Sequence, residues 1–250
     1  MWTSEATVPV ARPSDIRISA KNLGGLALPD FCPRCFWLGC HTDLPFGSPF
    51  PGIFSSIDAY TKHVVEGWFQ REGRLPVWLS QVGDVRMILK VSSKTFRTDV
   101  DGVLLTGVPD AVVELVDGTL AILDYKTARF TETQDELFPM YRVQLNAYAL
   151  ISEATKLGRV SKLALIYFEP PKPDRMPAEA ASNISGTGFV LPFTPYTLQV
   201  EKGLQEVHDL ARRVREIWTQ PHPPESAAGC GDCQALEAVQ KLTEGQTRLR

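Results

Sequence analysis

The 250-residue chain is predicted to fold as an α/β domain, a sheet of short strands flanked by helices. Three observations carry this expectation. Between Asp84 and Asp124, short β-rich runs are punctuated by Asp101–Gly102 and Asp117–Gly118, the dipeptide favoured in two-residue hairpin turns. Elsewhere apolar residues recur at helical spacing, over 57–70, 139–156 and 195–218. An apolar fraction of 44% lets a chain of this length bury a sizeable core.

Taken in order, Met1–Leu28 shows no periodicity and reads as an extended lead-in. Phe31–His41 carries three of the five cysteines, and Leu44–Ile53, rich in Pro, Gly and Phe, reads as a loop. Ser55 and Ser56 are N-cap candidates for a helix over Ile57–Gln70 with Ile57, Tyr60, Val64, Val65 and Trp68 as its apolar stripe; Gly73 and Pro76 end it. Strands are expected over Val85–Val91, Thr95–Thr98, Val103–Val108, Ala111–Leu115 and Leu120–Asp124, joined as a small antiparallel meander. A polar loop, Thr127–Glu136, leads to a helix over Pro139–Lys156 stopped by Gly158, and Lys162–Phe168 reads as a further strand. Pro170–Gly188 is a long connection, Phe189–Phe193 an edge-strand candidate, and Pro195–Trp218 a strongly amphipathic helix on which Arg212, Arg213 and Arg215 form a solvated face. The rest is short and loop-like. The implied organisation is a cysteine-bearing lead-in over 1–56, a core over 57–219, and a second cysteine segment with a tail over 220–250.

A net charge of -3 argues against a passive DNA-coating role, because phosphate neutralisation supplies much of such affinity. It argues less against an enzyme whose carboxylates hold divalent cations and whose basic residues line one groove. No apolar run approaches the ~20 residues that span a bilayer, and Met1–Arg12 lacks the basic-then-apolar order of a secretory signal. A cytoplasmic, reducing setting is the resulting expectation. There, the pairs Cys32/Cys35 and Cys230/Cys233 favour metal or redox chemistry over disulfides. Cys40 stands alone and reads as a small buried hydrophobe.

The residues with chemistry to offer gather between Gly107 and Tyr148. Asp110 ends one strand and Asp124 ends its neighbour in a tight hairpin, so the two carboxylates converge at one sheet edge. Such carboxylates repel, and a hard cation, Mg²⁺ or Mn²⁺, relieves the repulsion while keeping part of its water shell. The cation also offsets charge developing on a scissile phosphate. Lys126 lies two residues beyond Asp124, so period-two alternation puts both on one face. Its ammonium is placed to orient a water or stabilise a charged phosphorus centre, and the Tyr125 carbonyl between them is a candidate metal ligand.

The wording GVPDAVVELVDGTLAILDYKTA, followed by YRVQLNAYAL, resembles the PD-(D/E)XK nuclease superfamily, and within it the RecB-like branch that includes CRISPR-associated RecB-like exonucleases. The similarity runs from Gly107 to Leu150. It implies a restriction-endonuclease-like core, a central mixed sheet flanked by helices, and a catalytic set of Asp110, Asp124 and Lys126 joined by Gln144 and Tyr148 from the following helix. It also implies an acidic or histidine metal ligand on an earlier helix, where Glu66 is the first candidate, His63 the second and Asp58 a third. RecB-like exonucleases join their chain ends through cysteines around a [4Fe–4S] cluster, a role that would fall to Cys32, Cys35, Cys230 and Cys233. The family places one cysteine before the core and three after it, whereas this chain divides them differently, and two C-x-x-C pairs equally suit zinc or free thiols. The function implied is a metal-dependent deoxyribonuclease acting on DNA ends or single strands, with protein partners in repair, recombination, CRISPR or mobile-element processing. A non-catalytic nucleic-acid-binding subunit is the alternative, and a zinc-ribbon-type protein ranks third.

Overall fold

A computed structural model of the chain describes residues 16–42, 52–130, 136–171 and 184–247. The fold is organised around β6 (Leu120–Lys126), whose Leu120–Tyr125 stretch is buried on both faces. Near-continuous apolar character is what a strand covered on two sides requires. It sits third in a five-stranded mixed sheet of order β10 (Thr194–Val200), β7 (Val160–Glu169), β6, β5 (Ala111–Leu115) and β2 (Val85–Leu89). Only the β6–β7 pair is parallel in this sheet, and α4 (Phe138–Ala154) makes the crossover between those strands.

Alternation sorts each strand between two cores. Leu120 and Ile122 of β6 and Leu163, Leu165 and Tyr167 of β7 face one cluster, with α4, α5 (Leu204–Trp218) and α1 (Ala20–Gly25) packed over it. Ala121, Leu123 and Tyr125, with Ala164, Ile166 and Phe168, face the other. That side is covered by Val65 of α3 (Gly52–Glu72) and by Leu79 and Val82 of a 3-10 helix, Val77–Val82. A three-stranded sheet of β1 (Arg17–Ser19), β4 (Val103–Thr106) and β3 (Arg97–Val100) lies beside the main one. Here α1 approaches α4 so closely that a Cβ on Gly24 would strike the Met140 carbonyl. Asn146 of α4 is buried and fully used: its amide donates to the Arg142 and Glu201 carbonyls, and its oxygen accepts from Gly203 N–H, fixing the start of α5.

Several expectations are corrected. The lead-in from residue 16 is not featureless; it forms β1 and α1, elements too short to show a period. The cysteine stretch is helical, as α2 (Pro33–His41). The strands of 85–124 do not form one meander, because β3 and β4 leave to pair with β1 while β2 pairs with β5. The long helix predicted from Pro195 begins only at Leu204; Thr194–Val200 is the edge strand β10, as its alternating aromatic and β-branched residues allow, and Gly203 separates the two. Gly188–Phe189 (β9) pairs with Ile184–Ser185 (β8) in a separate hairpin, so Phe189–Phe193 is not an edge of the main sheet. The C-terminal segment is not loop-like but carries α6 (Gly231–Thr247). Most of the predicted Leu44–Ile53 loop, part of Thr127–Glu136 and most of Pro170–Gly188 lie outside the described residues. Among the described residues, no helix is long and apolar enough to cross a membrane.

Candidate active site

The register of β5 against β6 pairs Ala111 with Leu123, and one step further it sets Asp110 opposite Asp124. Asp110 therefore lies just before β5 rather than ending the preceding strand. Asp124 and Lys126 continue the Leu120–Ile122 series towards α4, where Gln144 and Tyr148 wait. The side chains meet. Lys126 Nζ lies 2.6 Å from Asp124 Oδ2, an ion pair on a buried carboxylate. Gln144 ties the pair together: its Oε1 accepts from Lys126 Nζ at 3.3 Å, and its Nε2 donates to Asp124 Oδ1 at 3.3 Å and to the Tyr148 hydroxyl at 2.9 Å. Asp110 Oδ2 accepts the backbone N–H of Tyr125 at 2.6 Å, which locks this carboxylate onto β6.

Burial sets the electrostatics. Asp124 is only 3% exposed; its loss of water pushes its pKa up to about 6, the Lys126 charge opposes this, and the Asp110 charge adds to it. Tyr148 is raised too, first by burial and then by Asp124, so its hydroxyl stays a neutral partner for Gln144. The Tyr148 ring presses on Gly107, where a Cβ would overlap it. The glycine that opens the GVPD wording is thus a close-approach position.

Two residues outside the expected set join the site. Lys62 of α3 bridges Asp110 Oδ1 at 2.7 Å and Asp58 Oδ2 at 2.9 Å. Burial alone would depress this ammonium, but its bonds to Asp110 and Asp58 hold its pKa above the ordinary value. The signal available was the Asp58/Lys62 spacing of four, which places both on one helix side. Tyr141, one turn before Gln144, lies under Lys126, whose Nζ is 4.1 Å from the ring centroid. Of the expected ligands on α3, Glu66 lines the same small cavity as Lys62, Asp110 and Tyr125, whereas His63 is exposed and has no part in it. Among the described residues, Glu66, Asp110 and Asp124 do not close into a tight ligand cluster; Lys62 takes the place beside Asp110.

The donor set still suits a hard cation. Two carboxylates face each other across the strand tips, each already beside an ammonium, Asp124 with Lys126 and Asp110 with Lys62. One or two converging carboxylates are the usual protein ligands of Mg²⁺, which keeps several of its waters. Outside them opens a cleft of about 560 Å³, lined by Lys21, Phe54, Asp58, Lys126 and Tyr141 among others.

The four expected cysteines gather as well. Cys32, Cys35, Cys230 and Cys233 bring their sulfurs within 4.8 Å of one another, forming a group able to hold a metal. Cys40 is half-buried and stands apart from this group; burial raises its thiol to about 12. Arg212, Arg213 and Arg215 are exposed on α5, as a solvated face requires; Arg213 also lies over the Phe31 ring, and Arg212 pairs with Asp101 and Asp209.

Comparison with family models matches residues 51–238 to the PD-(D/E)XK nuclease superfamily, well over half of the chain. The chain belongs to the PD-(D/E)XK nuclease superfamily. The central mixed sheet with helices on both faces is the fold of this PD-(D/E)XK protein. Among solved structures, that of SSO0001 is 15% identical, covering 81% of this chain and 77% of that one with a TM-score of 0.46. No curated protein matches the chain significantly.

Proposed function

We propose that this PD-(D/E)XK protein hydrolyses phosphodiester bonds of DNA with Mg²⁺ or Mn²⁺, acting on DNA ends or single strands. The observation that carries the reading is the meeting of Asp110, Asp124 and Lys126 at one sheet tip, with Gln144 linking the last two beside an open cleft. Asp110 and Asp124, with the Tyr125 carbonyl, are the residues to hold the cation, and Glu66 is the remaining ligand candidate. When bound, the cation supplies an activated water and neutralises charge on the phosphate. Lys126 donates to a phosphate oxygen or to the incoming water. Gln144 keeps that ammonium in register with Asp124, and the Tyr148 hydroxyl fixes the orientation of the Gln144 amide. In the cleft, Phe54 and Tyr141 offer aromatic faces to unstacked bases and Lys21 a positive charge to the backbone, which favours single-stranded substrates. The Gln144/Tyr148 pair supports the RecB-like branch, and with it a role beside protein partners in repair, recombination, CRISPR or mobile-element processing.

The test is cleavage of end-labelled single-stranded DNA in Mn²⁺ by the wild type and by Asp124→Ala and Lys126→Ala. Cutting by the wild type alone, with DNA binding kept in both variants, is expected; undiminished cutting by either variant overturns the mechanism. A second reading, a non-catalytic DNA-binding subunit, rests on Lys62 already neutralising Asp110. DNA binding with no cleavage by the wild type, in Mg²⁺ or Mn²⁺, selects it.

A further inference from the structure

We infer that Cys32, Cys35, Cys230 and Cys233 hold a single zinc ion as a tetrahedral tetrathiolate, in place of the [4Fe–4S] cluster that the RecB-like resemblance implies. The sulfur separations decide this. Cys35 Sγ lies 3.5 Å from both Cys230 Sγ and Cys233 Sγ, and Cys32 Sγ lies 3.7 Å from Cys233 Sγ. All four fall within 4.8 Å of one another. One tetrahedral ion with metal–sulfur bonds of ~2.3 Å sets its ligands about 3.8 Å apart. In a cubane each thiolate binds a different iron, so an iron–iron edge separates the bonds and drives the cysteine sulfurs far beyond that spacing. The cage formed here has room for one ion.

The surroundings agree. Each pair is a two-residue knuckle, Cys32–Pro33–Arg34–Cys35 opening α2 and Cys230–Gly231–Asp232–Cys233 opening α6. Cys32 Sγ accepts backbone N–H bonds from Cys35 and, at 3.3 Å, from Ala227. Widening the cage would also part α2 from α6, which Arg34 and Glu237 join at 3.1 Å. The ion closes a loop of about two hundred residues, 201 between Cys32 and Cys233, and so pins the two peripheral helices.

The test is elemental analysis and an inorganic-sulfide assay on full-length protein purified without oxygen or added metal. A single zinc per chain, no sulfide and a colourless solution are expected. Cobalt exchange should then give the visible bands of a tetrahedral tetrathiolate, and chelation should expose α2 and α6 to protease. Iron in the preparation, with or without sulfide, or four titratable thiols with no metal, overturns the inference. These readouts do not depend on whether the protein cuts DNA.

Discussion

The two centres of this molecule are built in opposite ways. The carboxylate site stands on the tips of central strands, with Asp124 almost wholly buried and its partners supplied by two packed helices. The cysteine site joins α2 to α6 at the periphery, with Cys35 and Cys230 half-exposed. The first is held in place by a core that exists without it. The second is itself a tie, joining α6 to α2, which is anchored on the domain by the buried Trp37 and its bond to the Gln220 carbonyl. Hard oxygen donors thus lie where rigidity serves chemistry, and soft sulfur donors where a cross-link serves stability.

That contrast is sharpest where one centre is damaged and the other read. Asp124→Ala should lower the cleavage rate on the order of a thousandfold, while circular dichroism and metal content at the cysteines stay as in the wild type. Cys35→Ser should do the reverse. It should cost on the order of 2–4 kcal/mol of stability, the scale of a cross-link closing a long loop, and leave kcat of the folded fraction unchanged. Melting curves and single-turnover rates on the two variants settle whether the centres are separable.

Acid should also distinguish them. The Asp124 pKa is raised to about 6 from an unfolded value of ~3.9. The folded state therefore favours the protonated form, and this group's contribution is fully present below pH ~4 and lost as pH rises through ~6. Metal-free wild type should accordingly lose up to about 2–3 kcal/mol over this window relative to Asp124→Asn, which carries no such proton. Parallel stability–pH curves for the two proteins would remove burial as the cause.

Smaller effects come from the side chains around the carboxylates. A cation approaching Asp110 competes with the ammonium already 2.7 Å from its Oδ1. Lys62→Met should then bind Mn²⁺ about tenfold more tightly in the absence of DNA, roughly 1.4 kcal/mol; titration followed by electron paramagnetic resonance measures it, and weaker binding would make Lys62 a supporting rather than a competing residue. Tyr148→Phe removes only the hydroxyl that steadies Gln144, a loss of about 1 kcal/mol. A fewfold drop in kcat with KM unchanged is expected.

The site was legible along the chain to the extent that its residues are local. Asp124 and Lys126 share a face because strands alternate, Asp110 meets them because an Asp–Gly turn fixes the hairpin register, and Gln144 with Tyr148 are spaced by one helical turn. Lys62 and Tyr141 were hidden because their roles depend on how α3 and the first turn of α4 pack against the sheet, which no local pattern encodes. Glu66 and His63 show the same limit: three residues apart, they lie near one another on the helix, yet only Glu66 lines the cavity.

By itself, the sequence determined the elements with a strong period or turn, the Asp110/Asp124/Lys126 constellation and the two cysteine pairs. Tertiary structure alone decided the departure of β3 and β4 into a second sheet, the strand at Thr194–Val200 and the helical C-terminal segment. It also decided the spacing of the four sulfurs. The reason is physical: register and alternation act over a few residues, whereas sheet partnership and the closure of a loop between Cys32 and Cys233 depend on contacts between segments far apart in the chain.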